Sequence, residues 1–323
     1  MCCLFGVVNY SGYQNDNIND IINYLSEEAT IRGSHSTGIA YNRNGNLVVY
    51  KEPKSGYEMY FKGLNDCVCV TGHTRYATQG SYKKNYNNHP FSGKCDNSRF
   101  ALCHNGVLWN DDLLRKQYDI PDSKIETDSY IAVQLLEHFH KLNVDNVAKM
   151  AELVQGSYTF TMVDNSDTLW IVKGDSPFSL IHFPHLKLYV YASTIEILFS
   201  AISQTSLVHS IANSLFEIIP VNGGDIIQIN KYGEMTVNHF EFFDYDSWRY
   251  NWRSYGNYNY YDDDNSYEST YNSGKAYDSK EYEKQWLEDL KVVARGVGLE
   301  PEDIEQLHND GYSLDEIEDL LYS

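Results

Sequence analysis

The chain has 323 residues, 42% of them hydrophobic, and carries 45 acidic against 25 basic side chains for a formal net charge of −20. That length can bury a full core without disulfides or a structural metal, and so negative a surface repels phosphate backbones, which argues against nucleic-acid binding. No apolar run reaches the ~18 residues of a membrane-spanning helix, and the start lacks the basic and apolar stretches of a secretory leader, so a cytoplasmic protein with no membrane partner is expected.

The chain opens Met1-Cys2-Cys3-Leu4-Phe5-Gly6. Removal of Met1 would put a thiol and a free α-amine, with an ordinary pKa of ~7.7–8.0, on one leading residue. A terminal nucleophile paired with its own amine is a way to activate a weak attacker. Residues 4–9 then read as an apolar strand. Ile18, Ile21, Ile22, Leu25 and Ala29 recur at helical spacing and predict an amphipathic helix over 17–31. Residues 38–41 and 47–50 flank Asn44-Gly45 and predict a β-hairpin. Residues 67–71 and 100–103 read as buried strands, with Cys67 and Cys69 on one face of the first. Ile131, Leu135, Leu136 and Phe139 predict a helix over 129–142, and a second over 146–154 ends at Gly156. Strands at 157–163, 169–173, 188–192 and 226–229 complete a strand-rich second half. Long strands with few helices suggest sheets packed against helices, not a doubly wound sheet.

The six cysteines are Cys2, Cys3, Cys67, Cys69, Cys95 and Cys103. They match neither a zinc-ribbon spacing nor the framework of a small secreted domain. The set suits a reducing compartment, and neither a metal nor a cofactor is expected.

Residues 244–323 differ in composition, holding 20 acidic against 7 basic side chains. Residues 244–279, rich in Tyr, Asn, Asp, Ser and Gly, have too few aliphatic groups to offset ordering entropy and are expected to be a disordered linker. Helical pattern returns in 280–323. Tyr282, Trp286, Leu287, Leu290 and Val293 share a face, Pro301 suits a first helical turn, and Ser313-Leu314-Asp315-Glu316 is a capping box. These short helices suggest a docking module. The expected division is 2–243, 244–279 and 280–323.

Four further segments carry chemistry: Arg32-Gly33-Ser34-His35-Ser36-Thr37-Gly38, Gly72-His73-Thr74-Arg75-Tyr76-Ala77-Thr78 with Asn88-His89-Pro90-Phe91 after it, His104-Asn105-Gly106, and Thr127-Asp128-Ser129. A cysteine that cleaves a primary amide needs donors for the tetrahedral oxyanion, and an Asn side chain beside a Gly N–H supplies two. Binding free glutamine also needs a guanidinium for the α-carboxylate, for which Arg75 is a candidate, and a carboxylate for the α-ammonium, for which Asp128 is one. Plainer readings stand beside these. Asn105-Gly106 is also a type I′ turn signal, Asp128 could cap the helix that follows it, and His73 and His104 suit packed core histidines.

In this order the segments resemble the class II glutamine amidotransferase domain, one of the N-terminal-nucleophile hydrolases, over roughly residues 2–240. The chain is similar to the glutaminase half of amidophosphoribosyltransferases and glucosamine-phosphate synthases, without their synthetase domain. The resemblance implies an α+β fold, a four-layer αββα sandwich. It implies Cys2 as nucleophile with its α-amine as base, Asn105 and Gly106 as the oxyanion hole, and Arg75, Tyr76, Thr78 and Asp128 as substrate-binding residues. The implied reaction releases glutamate and ammonia from L-glutamine through a Cys2 γ-glutamyl thioester. Ammonia would pass to a partner protein docked by the C-terminal module. The alternatives are a stand-alone amidohydrolase acting on another γ-glutamyl or primary amide, and a non-catalytic glutamine-binding or scaffold protein. The chain departs from the family pattern at Cys3, where Gly is usual, at His35, where Asp is common, at Gln79, where His is frequent, and at Tyr130, where Glu is frequent.

Overall fold

Period-two alternation along β1 (Cys3–Asn9) sets the layers of the molecule. Cys3, Phe5 and Val7 point to one side, where they pack on Ile18, Ile21, Ile22 and Leu25 of α1 (Ile18–Glu28) and on Leu198 and Ile202 of α5 (Ile195–Ser203). Leu4 and Val8 point to the other side, into a cluster shared with a second sheet. The structure, a computed structural model, describes residues 2–12, 15, 17–242, 287, 291, 300–309, 314 and 317. The chain divides into two compact units, Met1–Arg253 and Ser254–Ser323.

In the first unit every strand pair is antiparallel. One sheet has seven strands, in the spatial order β11 (Glu217–Ile219), β9 (Ser179–Phe183), β10 (Leu188–Ala192), β1, β4 (Cys69–Arg75), β2 (Ser36–Arg43), β3 (Asn46–Glu52). The other has six, in the order β13 (Met235–His239), β12 (Asp225–Ile229), β8 (Leu169–Lys173), β7 (Gly156–Asp164), β6 (Arg99–Leu108), β5 (Phe91–Lys94). Between the sheets lie Leu4, Val8, Cys69, Ala101, Cys103, Val163, Ile171 and Ile227. The outer face of the six-stranded sheet packs Leu102, Phe160, Met162 and Val172 against α3 (Tyr130–His138) and α4 (Val144–Leu153). The architecture is therefore the expected four layers, αββα. A fully buried Leu, Ile or Phe contributes ~1.5–3 kcal/mol and an exposed ion pair only ~0–1 kcal/mol, so the three apolar interfaces hold the layers together.

The β2–β3 hairpin turns where expected, with Asn44 at φ 51° and Gly45 at φ 74°, the pair of left-handed residues that a type I′ turn requires. Other expectations are corrected. Strand β4 begins at Cys69, because the Cys67 amide closes a turn on the Leu64 carbonyl at 2.9 Å. Cys67 packs on the helix side of the sheet and Cys69 between the sheets, so they do not share a face. Helix α3 stops at His138, with His140 at φ 66°; no glycine marks that end in the sequence. Elements without a clean period were not foreseen: β5, β9, β11, β13, α2 (Asp111–Gln117), α5 and α6 (Val208–Ala212). Helix α5 carries its own start signal, the Thr194 side chain accepting from the Ile197 amide at 3.4 Å.

In the second unit, α7 (Pro301–Asn309) starts at the proline, and Ile304 is buried with Leu314 and Ile317 while Leu287 and Leu307 pack on them. Lys291 pairs with Glu305. The linker expected at 244–279, and most of the capping box at Ser313, lie outside the described residues. Among the described residues no helix is long and apolar enough to cross a membrane.

Candidate active site

Strand register brings the site segments together. In the β1–β4 pair Cys3 lies opposite Thr74 and Leu4 opposite His73, so the next row aligns Cys2 with Arg75. Cys2 is anchored through its backbone, its carbonyl accepting from Arg32 Nε at 3.0 Å. Its thiol lies 3.6 Å from the Tyr76 carbonyl oxygen. Burial pushes the Cys2 thiol up from its ordinary value, and the neighbouring Arg75 guanidinium acts in the opposite direction. Cys3 is fully buried, with its thiol turned to the Leu4 carbonyl at 3.3 Å.

Arg75, 3% exposed, is held by its surroundings. Nη1 donates to Asn88 Oδ1 at 2.9 Å, and Nη2 donates to the Gly80 carbonyl at 3.1 Å and to that of Gln79. A guanidinium has five N–H donors in a planar fork, so donors remain for a ligand. Burial pushes the Arg75 pKa down, and the charges of Cys2 and Asp128 oppose that shift.

Asp128, 4% exposed, does not cap α3. Its Oδ2 accepts from the Leu108 amide at 2.6 Å, Oδ1 lies 3.3 Å from Ser129 Oγ, and its own amide donates to Gln79 Oε1 at 3.2 Å. The carboxylate thus ties the helix start to the end of β6.

Asn105 and Gly106 sit inside β6, not in a hairpin turn, opposite Thr159 and Tyr158 of β7. Gly106 has φ 138°, and a Cβ there would come within 1.9 Å of the Ser157 carbonyl oxygen, so only glycine fits. Asn105 Nδ2 lies 3.4 Å from Ser193 Oγ, which also accepts from the Leu4 amide at 2.8 Å. Ser193, just after β10, therefore links the start of β1 to the Asn105 side chain. The serine's two contacts come from separate strands and have no local signature in the sequence.

His73 and His104 are packed core histidines. His73 Nε2 donates to the His104 carbonyl at 2.8 Å across the gap between the sheets, and His104 Nδ1 meets Ser129 Oγ at 2.7 Å. The His89 ring packs 4.1 Å from that of His73, and neither of its nitrogens has a hydrogen-bond partner in the protein. Among the described residues no group of three His, Cys, Asp or Glu side chains could hold a metal ion.

Tyr76 is 37% exposed, and Thr78 is exposed. The turn that carries them, Tyr76–Gly80, touches three of the expected site residues at once. The Tyr76 carbonyl faces the Cys2 thiol, the Gln79 and Gly80 carbonyls hold Arg75, and the Gln79 side chain holds the Asp128 amide. The roles of Gln79 and Asn88 were not read from the sequence.

No family model matches the chain. It is 34% identical over 184 residues to glutamine–fructose-6-phosphate aminotransferase (isomerizing) from Staphylococcus aureus (strain Mu50), covering 54% of this chain and 30% of that protein. The same enzyme from Staphylococcus epidermidis (strain ATCC 12228) is 34% identical over 183 residues, covering 53% of this chain and 29% of the relative. The chain carries a class II glutamine amidotransferase domain. Its fold is also that of glutamine phosphoribosylpyrophosphate amidotransferase from B. subtilis, with a TM-score of 0.59 at 21% identity over 74% of this chain and 49% of that one. A second solved structure, described as the allosteric regulatory enzyme of purine biosynthesis, gives 0.58 at 20% identity over the same shares, 74% and 49%. The chain thus spans about 30% of the length of the curated relatives it matches. In this amidotransferase domain the strand ends, the turn Tyr76–Gly80 and the start of α3 meet around Cys2, Arg75 and Asp128.

Proposed function

We propose that this chain hydrolyses the side-chain amide of glutamine. Once Met1 is removed, the Cys2 α-amine takes the thiol proton as sulfur attacks the amide carbon. Asn105 Nδ2 and the Gly106 N–H hold the oxyanion of the tetrahedral adduct. The amine returns the proton to the leaving nitrogen, ammonia departs, and a γ-glutamyl thioester remains. Water, giving a proton to the amine, attacks the thioester; glutamate leaves and the thiol regains its proton. Arg75 holds the substrate α-carboxylate, Asp128 the α-ammonium, and Tyr76 and Thr78 border the bound amino acid. The observation that carries this reading is the single turn Tyr76–Gly80 in contact with Cys2, Arg75 and Asp128. It would fix nucleophile and both charge clamps in one frame, as recognition of a free amino acid demands.

The ammonia passes to a separate acceptor protein docked by the C-terminal helices, a role supported by the apolar cluster of Ile304, Leu314 and Ile317 in that region. Six free cysteines support work in the cytoplasm.

The test is release of glutamate and ammonia from purified protein, with intact mass recorded alongside. Mature protein should begin at Cys2 and turn over glutamine, and Cys2→Ala should lower turnover by about 10⁴-fold or more. A retained Met1 with no turnover would favour the glutamine-binding or scaffold reading. Equal turnover of glutamine and of its analogue lacking the α-amine would favour the stand-alone amidohydrolase.

A further inference from the structure

The turn Tyr76–Gly80 is itself held by a residue outside the expected site set. His35 lies just before β2, and its backbone amide donates to the Arg75 carbonyl at 2.9 Å. Its ring reaches over the turn. Nδ1 accepts from the Ala77 amide at 2.9 Å, which fixes the neutral tautomer with the ring proton on Nε2. One ring face stacks on Tyr76 at 4.7 Å and 23°, and the ring also stacks on Tyr82 at 4.7 Å and 16°. Tyr82 closes the far end of the same segment, where its carbonyl accepts from Asn88 Nδ2 at 2.8 Å; the Oδ1 of that side chain holds Arg75.

From this geometry we infer that His35 is a positioning residue, a clasp that joins both ends of the 76–82 segment and so sets the carbonyls that aim Arg75 at the glutamine carboxylate. The inference rests on the proposed glutaminase reaction for its functional consequence and on the contacts above for the clasp. His35 does not touch Arg75's guanidinium directly; it acts through Ala77, Tyr76 and Tyr82. Two separable interactions do the holding, one acceptor atom and one flat ring, and each can be removed without the other. In His35→Phe the stacking surface stays and the acceptor is lost. In His35→Asn, Oδ1 occupies the place of Nδ1 and accepts from the Ala77 amide, while most of the ring is lost.

The experiment measures glutamine kinetics and amide exchange over residues 76–82 in the full-length protein and in both variants, with strand β4 as internal reference. His35→Phe should raise KM about tenfold, the change that loss of one hydrogen bond supports, with kcat within about threefold. Exchange in 76–82 should quicken by a similar factor while β4 stays protected. His35→Asn should bring both readouts back to within about threefold of wild type. A residue that only fills space predicts the reverse order, a silent Phe variant and a damaged Asn variant, and that result would overturn the clasp. Wild-type protein that releases no ammonia from glutamine would sink the proposed reaction instead, and the exchange rates alone would then decide whether His35 holds the turn.

Discussion

At the scale of single residues the site separates into groups that would meet the transition state and groups that would meet the substrate. Asn105 belongs to the first. Its amide meets Ser193 Oγ, just after β10, at 3.4 Å, so Asn105→Ala should lower kcat by about 10²–10³-fold while KM changes little, as removal of one oxyanion donor does elsewhere. Steady-state glutamine kinetics check the split. Asp128 belongs to the second group. In Asp128→Asn the oxygen that accepts from the Leu108 amide survives, but the charge proposed to face the substrate ammonium is lost. A charge-assisted hydrogen bond contributes ~1.5–3 kcal/mol, so KM for glutamine should rise roughly 10- to 150-fold, while the analogue lacking its α-amine should be turned over as by wild type. The neighbouring Gly106 is a different kind of site residue. With its φ of 138° and the Ser157 carbonyl 1.9 Å from any added Cβ, its substitution would break β6 before it changed chemistry.

At the scale of elements, the bond from His73 in β4 to the His104 carbonyl in β6 joins the two sheets directly behind the site. Burial holds the His73 ring pKa down at about 3, and the same cause lowers His89 and His104. The unfolded chain protonates these rings near ~6.5. Below that pH the unfolded state binds more protons, so stability falls as pH drops below about 6.5, for His73 down toward 3, by up to ~1.4 kcal/mol per pH unit for each ring. Urea unfolding at pH 7.5 and pH 5 should show the loss. His89→Phe keeps the packing on His73 and Phe91 and removes one titrating ring, so it should flatten that dependence by up to one ring's share. Elements of this kind also mark how far the sequence could be read. Strand β1, buried on both faces, was legible as a continuous apolar run, and the helix starting at Ile18 because burial on one side imposes a period. The edge strands β11 and β13 were not, since an edge strand with exposed faces imposes none. The motif residues Cys2, Arg75, Asn105 and Asp128 were legible as types in order. Ser193, Asn88 and His35 were not, because their roles arise from contacts across 189, 13 and 42 residues of chain.

At the scale of the whole first unit, stacking two sheets between two helical layers buries every cysteine residue but one. Cys3, Cys67, Cys69, Cys95 and Cys103 are buried, and only Cys2 is partly accessible. Towards a thiol-directed reagent the native molecule therefore behaves as though it had one cysteine. A glutamine-like electrophile such as a diazo-ketone, or a small maleimide under native conditions, should add a single mass increment located at residue 2. In denaturant the count should rise to all six. Counting adducts during a brief pulse of reagent would follow opening of the layers with no engineered label, and the same leading sulfur proposed to attack glutamine would serve as the tether for a spectroscopic probe beside the turn Tyr76–Gly80.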